Sequence, residues 1–311
     1  MTNRPTVMIM QPHLVRLGAV LEGDYRVLHH WEQPAPGDLG EVQALVVAGE
    51  FALDKTLIEN MPRLGLIACF TSGYDGIDTA WAKARGLKAS HALAVNHEDV
   101  ADHAIGLIVG HIRRIVSGDR ELRAGEWSVK AKTLTPTLAG KRVGIVGLGG
   151  IGEALAQRCE IMRMPVAWWG PREKPGAAWP RAESLEALAR DSDVLVVACR
   201  ADESNRGLIS ATVIEALGPD GLLVNVARGQ LVDEDALIAA LKDGRLGGAA
   251  LDVFIQEPTP AERWADVPNT TLTPHTAGAT TASVMRMTQL MLANLAAFFA
   301  GEPLKTPIED E

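Results

Sequence analysis

The stretch Val143-Gly144-Ile145-Val146-Gly147-Leu148-Gly149-Gly150-Ile151-Gly152 decides the fold of this chain. It joins a short apolar strand to the glycine pattern G-x-G-x-x-G, and the amphipathic helix Ile151 to Met162 follows. In this context the pattern is typical of a dinucleotide site, because backbone N–H groups and the positive end of the helix dipole can meet a pyrophosphate. The residues predicted to bind the dinucleotide are Gly147, Gly149, Gly150, Ile151 and Gly152. The alternative is a tight turn that binds no ligand.

The rest of the sequence alternates short apolar runs with segments of helical length, which predicts an α/β protein with parallel sheets. We expect two Rossmann-like or flavodoxin-like domains with the active site in the cleft between them. Residues 97–280 would form the dinucleotide-binding Rossmann domain. Residues 1–96 and 281–311 would form a substrate-binding domain, because the last helix, Thr281 to Ala300, follows the final strand and can cross back to the first domain. The predicted strands are Thr6 to Met10, Arg26 to Leu28, Ala44 to Ala48, Leu66 to Cys69, Lys88 to Ser90, Arg142 to Val146, Val166 to Trp169, Val194 to Ala198, Leu222 to Asn225, Gly248 to Leu251 and Thr271 to Leu272.

Composition excludes several classes of protein. The chain has 311 residues, which suggests two domains, and its net charge of −9 disfavours a general nucleic-acid surface. No apolar run approaches the ~18 residues of a membrane span, and the N-terminus lacks the apolar core of a secretory signal, so we expect a cytoplasmic protein. The three cysteines lie far apart in sequence and are interpreted as reduced core residues. No metal site is predicted, because His97-Glu98 is followed by Ala101 where H-E-x-x-H requires a histidine.

The segment after the predicted strand Val166 to Trp169, which follows the glycine-rich turn and its helix, predicts which dinucleotide binds. An NAD site usually has a carboxylate there for the ribose 2′-OH, but this sequence has Gly170, followed by Arg172 and Lys174. Without the carboxylate a 2′-phosphate is not repelled, and a guanidinium can bind it. We therefore predict NADPH over NADH. The alternative is a solvated loop in which Glu173 partly cancels the two cations.

Three polar residues follow strands in the second half of the chain, where an open α/β sheet binds its ligand. They are Arg228, Glu257 and His275. A guanidinium can hold a 2-oxo acid through its oxygens, and a histidine can protonate the carbonyl. A carboxylate can orient the imidazole and raise its pKa. The chemistry of these three residue types is therefore complementary.

With the glycine-rich turn and the segments around Arg228, Glu257 and His275, the chain resembles the D-isomer-specific 2-hydroxyacid dehydrogenase family, and within it the NADPH-dependent glyoxylate/hydroxypyruvate reductases. The resemblance also rests on the blocks Thr71 to Asp78, Val100 to Ala104 and Arg123 to Trp127. It implies that Arg228 anchors the substrate, that His275 is the acid/base and that Glu257 pairs with His275. It also implies substrate contacts from Phe51, Ser72, Gly73 and Trp127, the last across a dimer interface. The cofactor set implied by the resemblance further includes Val100, Cys199, Ala227, Arg228, Asp252, His275 and Gly278.

The function implied is NADPH-dependent reduction of glyoxylate or hydroxypyruvate to the D-2-hydroxy acid. The apolar helix from Val100 to Ile115 needs burial beyond its own domain, which favours a homodimer. The alternative substrate is a bulkier aryl-pyruvate such as 4-hydroxyphenylpyruvate. An alternative of a different class is a dinucleotide-sensing, corepressor-like binding protein, although Arg228, Glu257 and His275 favour an enzyme.

Overall fold

The computed structural model describes residues 4–128 and 134–308 and divides the chain into two compact units. One unit contains the chain up to Val95 and resumes at Thr281, and the other extends from Asn96 to Thr280. Each unit is a parallel sheet covered by helices, so the predicted α/β class with two parallel sheets is confirmed.

The first unit has a five-stranded sheet in the order β2-β1-β3-β4-β5, and all neighbouring strands are parallel. Its elements are β1 (Thr6–Ile9), α1 (Arg16–Leu21), β2 (Arg26–His29), α2 (Pro36–Leu39), β3 (Val42–Val47), α3 (Lys55–Glu59), β4 (Leu66–Cys69), α4 (Thr79–Ala84) and β5 (Lys88–Ser90), and the returning helix is labelled α12 (Thr281–Phe299). Alternate residues of the central strands point to opposite faces, and both faces are buried, as expected for a parallel sheet. Met287, Met291 and Leu295 of α12 pack in the core on one face, which explains why this last helix belongs to the first unit.

The second unit has a six-stranded parallel sheet in the order β11-β10-β9-β8-β6-β7. Its elements are α5 (His97–Ile112), α6 (Ile115–Arg123), β6 (Val143–Val146), α7 (Gly150–Ile161), β7 (Val166–Trp169), α8 (Leu185–Arg190), β8 (Val194–Val197), α9 (Ala211–Leu217), β9 (Leu222–Asn225), α10 (Glu234–Lys242), β10 (Gly248–Leu251), α11 (Ala261–Trp264) and β11 (Thr270–Leu272). Helices α5 and α7 bury their apolar side chains on one face of the sheet, and α8, α9 and α10 cover the other.

The predicted helix from Val100 to Ile115 differs from the observed α5 at both ends. The helix begins at His97, so that Glu98 and Asp99 lie in its first turn, where the helix dipole favours negative charge. It ends at Ile112 because Arg114 adopts a left-handed conformation with φ of 53°, and α6 begins at the next residue. Within the described ranges, no helix combines the length and apolar character that crossing a membrane requires.

Candidate active site

The glycine-rich turn connects β6 to α7 at the point where the strand order of the second sheet reverses. Gly147 has φ of 95°, and a Cβ there would lie 2.6 Å from Cα of Cys199. A Cβ on Gly152 would lie 2.2 Å from the carbonyl oxygen of Gly147. The turn therefore needs glycine at both positions for its own conformation. A Cβ on Gly149 would meet no described atom within 4 Å, so the backbone there is open to a ligand.

The start of α7 has the properties of a dinucleotide site. Gly149 is its N-cap residue and provides no side-chain hydrogen bond, so the first N–H groups of this helix remain for another acceptor. Aligned N–H groups and the helix dipole favour a phosphate at such an end. The strand β8, which pairs with β6, ends just before Cys199, and burial raises the pKa of this thiol to about 11. The residues present thus fit the pyrophosphate of a dinucleotide.

Two further predicted cofactor residues lie together at the start of α5. A Cβ on Gly278 would lie 2.5 Å from the side-chain nitrogen of Asn96 and 3.7 Å from Val100. A Cβ on Gly150 would lie 3.5 Å from Cβ of His97, which is also in this first turn. The structure thereby brings Val100 and Gly278 together, and it brings the glycine-rich turn to the same end of α5.

The segment after β7 holds the predicted 2′-phosphate residues in different environments. Lys174 donates through Nζ to the carbonyl oxygen of Leu148 (2.6 Å) and to the carboxylate of Glu153 (2.5 Å). Its charge is therefore paired, and it links the segment to the glycine-rich turn. Gly170 accepts a hydrogen bond from the guanidinium of Arg181 (2.7 Å), and Arg172 is exposed. The sequence pattern did not indicate the contacts made by Lys174 and Arg181.

Arg228, Glu257 and His275 follow three neighbouring strands, β9, β10 and β11. Because parallel strands end at the same edge of a sheet, the topology brings these three residues to one place. The positive charge of Arg228 acts on the pKa of both Glu257 and His275, which it lowers in each case. The guanidinium also donates to the carbonyl oxygen of Ala227 (2.8 Å). The predicted catalytic residues are thus gathered within the second unit.

Glu257 and His275 form a hydrogen-bonded pair. Nδ1 of His275 lies 2.5 Å from Oε2 of Glu257, whose Oε1 accepts from the N–H of Phe254 (2.9 Å). The hydrogen bond to Glu257 is the main reason that the pKa of His275 is raised, and it outweighs the opposing effect of burial. Burial alone would raise the pKa of Glu257, but the hydrogen bonds from His275 and Phe254 lower it. With Nδ1 bound to the carboxylate, Nε2 is the nitrogen that can exchange a proton with a ligand.

The backbone of His275 is held in an unusual conformation. Its φ is 50°, in the left-handed region that non-glycine residues seldom adopt. Its N–H donates to the carbonyl oxygen of Asp252 (2.8 Å). The fully buried carboxylate of Asp252 accepts from the N–H groups of Thr276 and Ala277 (2.9 and 2.8 Å) and from the hydroxyl of Thr273 (2.5 Å). Such strain persists only where surrounding contacts fix it, and Asp252 provides several of them.

Asp252 was expected to contact the cofactor, and its observed hydrogen bonds support the loop of His275. Burial alone would raise the pKa of its carboxyl, but hydrogen bonds from His103, Thr273 and two backbone N–H groups lower it. These hydrogen bonds favour the ionised form of the carboxylate, which organises the loop containing His275. A direct contact between Asp252 and a cofactor stays a prediction.

A second buried carboxylate, which the sequence reasoning missed, supports the loop of Glu257. Glu234 accepts from the N–H of Ile255 (2.6 Å) and forms an ion pair with Arg263 (2.7 Å). A Cβ on Gly229 would lie 1.9 Å from the carbonyl carbon of Phe254, so the turn after Arg228 packs directly on this loop. The only sequence signal was an acidic residue in the first turn of α10.

The predicted substrate residues of the first unit lie in loops after β3 and β4. The hydroxyl of Ser72 donates to the carbonyl oxygen of Ala92 (2.6 Å), and the hydroxyl of Thr71 donates to that of Gly73 (2.9 Å). These bonds fix the conformation of the loop. Phe51 is 45% exposed, and its ring lies 5.7 Å from that of His13. Trp127, in the second unit, is 75% exposed.

Comparison with known proteins shows the family to which this chain is similar. Residues 105–277 match the family model described as D-isomer specific 2-hydroxyacid dehydrogenase, NAD binding domain. Glyoxylate/hydroxypyruvate reductase A of Arabidopsis thaliana is 39% identical, and hydroxyphenylpyruvate reductase of Plectranthus scutellarioides is 38% identical; each alignment covers 97% of this chain and 98% of the relative. The structure of NADPH-dependent glyoxylate/hydroxypyruvate reductase from Sinorhizobium meliloti, in complex with NADP and malonate, has a TM-score of 0.89 and 33% identity and covers 98% of this chain and 97% of its own.

The family model covers more than half of the chain, and the similarity to these reductases extends over nearly all of it. The predicted enzyme class is thereby confirmed. The chain belongs to the family of D-isomer-specific 2-hydroxyacid dehydrogenases.

Proposed function

We propose that this protein reduces a small 2-oxo acid, glyoxylate or hydroxypyruvate, to the D-2-hydroxy acid with NADPH. The observation that supports this most directly is the His275–Glu257 pair beside the charge of Arg228. A reductase needs a proton donor that stays protonated near neutral pH, and the carboxylate of Glu257 raises the pKa of His275 in that direction. The similarity to glyoxylate/hydroxypyruvate reductases supports the choice of substrate.

The protein's own residues divide the chemistry between them. When bound, the reduced nicotinamide supplies a hydride to C2 of the 2-oxo acid. His275 gives the proton on Nε2 to the carbonyl oxygen as negative charge develops there, and Glu257 stabilises the imidazolium through Nδ1. Arg228 stabilises the same developing charge, and one well-placed donor of this kind contributes roughly 3–4 kcal/mol. The backbone N–H groups of Ser72 and Gly73 bind the substrate carboxylate, and Phe51 lines the substrate site.

A substrate panel tests this function. We expect kcat/KM to be highest for glyoxylate or hydroxypyruvate and lower for pyruvate and phenylpyruvate, measured by the absorbance of the reduced nicotinamide. The similarity to hydroxyphenylpyruvate reductase of Plectranthus scutellarioides supports 4-hydroxyphenylpyruvate as the second candidate. A preference for aryl-pyruvates would contradict the proposed small substrate but would still support reduction of a 2-oxo acid. Turnover of none of these acids would leave the corepressor-like alternative as the better explanation.

The proton donor makes a prediction about pH. Protonated His275 is required for reduction, so kcat/KM for reduction falls as pH rises through the raised pKa of His275. In Glu257→Gln the main cause of the raised pKa is lost, and this fall moves to lower pH. His275→Gln removes the proton donor, and we expect kcat to decrease by roughly 10²–10⁴-fold. Bound NADPH, measured by its fluorescence, is the control for both variants. An unchanged pH profile in Glu257→Gln would refute the assigned pairing.

NADPH is proposed over NADH because the residue directly after β7 is Gly170 rather than a carboxylate, and exposed Arg172 lies two residues further on. A charge-assisted hydrogen bond to phosphate contributes about 1.5–3 kcal/mol, so Arg172→Ala should raise KM for NADPH roughly tenfold to a hundredfold and leave KM for NADH unchanged. Lys174→Ala should weaken the binding of both NADPH and NADH, since Lys174 donates a hydrogen bond to the glycine-rich turn. Arg190→Ala, at the exposed end of α8, is the matched control. If Arg172→Ala affects both cofactors equally, Arg172 does not select the phosphate.

We further propose that the protein is a homodimer in the cytoplasm. Ile115 and Leu122 of α6 are both 57% exposed, and Trp127 follows them. These three side chains lie within the short stretch 115–127, and a patch of exposed apolar side chains is typical of a surface that binds a partner. Light scattering should give about twice the chain mass of 33.2 kDa, and Leu122→Glu should reduce it to one chain. Met285→Glu, at an exposed position of α12, should leave the dimer intact. A wild-type monomer would contradict the proposal.

A further inference from the structure

Two histidines on α5 contact threonines of one strand and its extension. Nε2 of His103 lies 3.0 Å from the hydroxyl of Thr273, and Nδ1 of His111 lies 3.1 Å from the hydroxyl of Thr271. The two pairs are similar in type, but their surroundings differ. Only Thr273 continues to a carboxylate, because its hydroxyl lies 2.5 Å from Oδ1 of Asp252.

The hydrogen-bond directions follow from the chemistry of these groups. Asp252 is an ionised carboxylate that only accepts, so the hydroxyl of Thr273 donates to it. The oxygen of Thr273 is then left to accept, and Nε2 of His103 carries the proton that it donates. The same nitrogen lies 3.4 Å from Oδ1 of Asp252. His103 therefore contacts both partners that support the loop of His275.

The geometry of the proton donor depends on this network. Asp252 binds the loop through its side chain, which accepts from Thr276 and Ala277, and through its carbonyl oxygen, which accepts from the N–H of His275. His275 is held at φ of 50° between these contacts. If the carboxylate of Asp252 moves, the anchors on both sides of His275 move with it. The imidazole would then lose its fixed relation to Glu257.

We propose that His103 is a positioning residue for the reductase, which fixes Thr273 and Asp252 and through them the backbone of His275. This inference rests on the proposed role of His275 as proton donor. His103 touches neither Glu257 nor Arg228 in any described hydrogen bond, so it acts through the loop. Its hydrogen bond is also one of the causes that lower the pKa of Asp252.

The size of the effect follows from the precision that catalysis requires. A misplacement of about 1 Å in a catalytic group can decrease the rate by about 10²-fold. Loss of one hydrogen bond in a network that keeps its other donors should shift the loop less. We therefore expect a decrease in kcat of about tenfold, with little change in KM for the 2-oxo acid.

The test compares His103→Leu with His111→Leu, and Thr273→Val with Thr271→Val. Each pair removes the same chemical group from the same elements, and only the first member touches the Asp252 network. For each variant, kcat, KM and the primary isotope effect with NADPH deuterated at the transferable position are measured. In His103→Leu and Thr273→Val we expect the lower kcat together with a larger isotope effect, because the chemical step becomes slower. His103→Gln, whose amide can donate to Thr273, should recover part of the rate.

The network also predicts how two changes combine. Because His103 and Thr273 act on the same carboxylate, kcat of the double variant His103→Leu/Thr273→Val should be little lower than that of either single variant. The effects of His103→Leu and Thr271→Val on kcat should instead be additive as free energies. A wild-type kcat and isotope effect in His103→Leu would overturn the inference, and so would equal losses in His111→Leu. If His275→Gln retains wild-type kcat, the proposed function itself fails, whatever the result at His103.

Discussion

The buried charge of Asp252 is the constraint on which the catalytic loop depends. An ionised carboxylate inside a protein is tolerated only when hydrogen-bond donors surround it. Here a histidine, a threonine hydroxyl and two backbone N–H groups meet that requirement. Because three of these donors belong to the segment from Thr273 to Ala277, satisfying the charge also determines the path of the chain around His275.

The parallel sheet determines where this loop meets its partners. The neighbouring strands β9, β10 and β11 end at one edge, and each is followed by one residue of the set Arg228, Glu257 and His275. Backbone packing is tight there, since the turn at Gly229 leaves no space for a side chain against Phe254. The turn after Arg228 and the loop that contains Glu257 therefore support one another. The hydrogen bond between Glu257 and His275 follows from the positions of the loops after β10 and β11.

Much of the fold and of the candidate site could be predicted from the sequence, because buried parallel strands are short apolar runs and the glycine pattern occurs in few structural contexts. The strands β4, β5, β7, β9 and β10 have the predicted bounds, and the catalytic set follows strands as expected. The end of α5 could not be predicted, because nothing in the sequence marks Arg114 as left-handed. The observed contacts of His103 and Lys174 were also not predicted. Their partners, Thr273 and the carbonyl oxygen of Leu148, are far away in sequence or belong to the backbone, so no local pattern indicates them.

The location of Arg228, Glu257 and His275 in a single unit has a consequence for how this enzyme can change. Arg228, Glu257, His275 and their supporting carboxylates Asp252 and Glu234 all lie between Asn96 and Thr280. The loops around Phe51 and Ser72 lie in the other unit, on separate strands with a separate core. Under the proposed function, exchange of those loops, in evolution or by design, would change the residues offered to the substrate and leave unaltered the chain segments that form the described hydrogen bonds of the His275 imidazole and its loop.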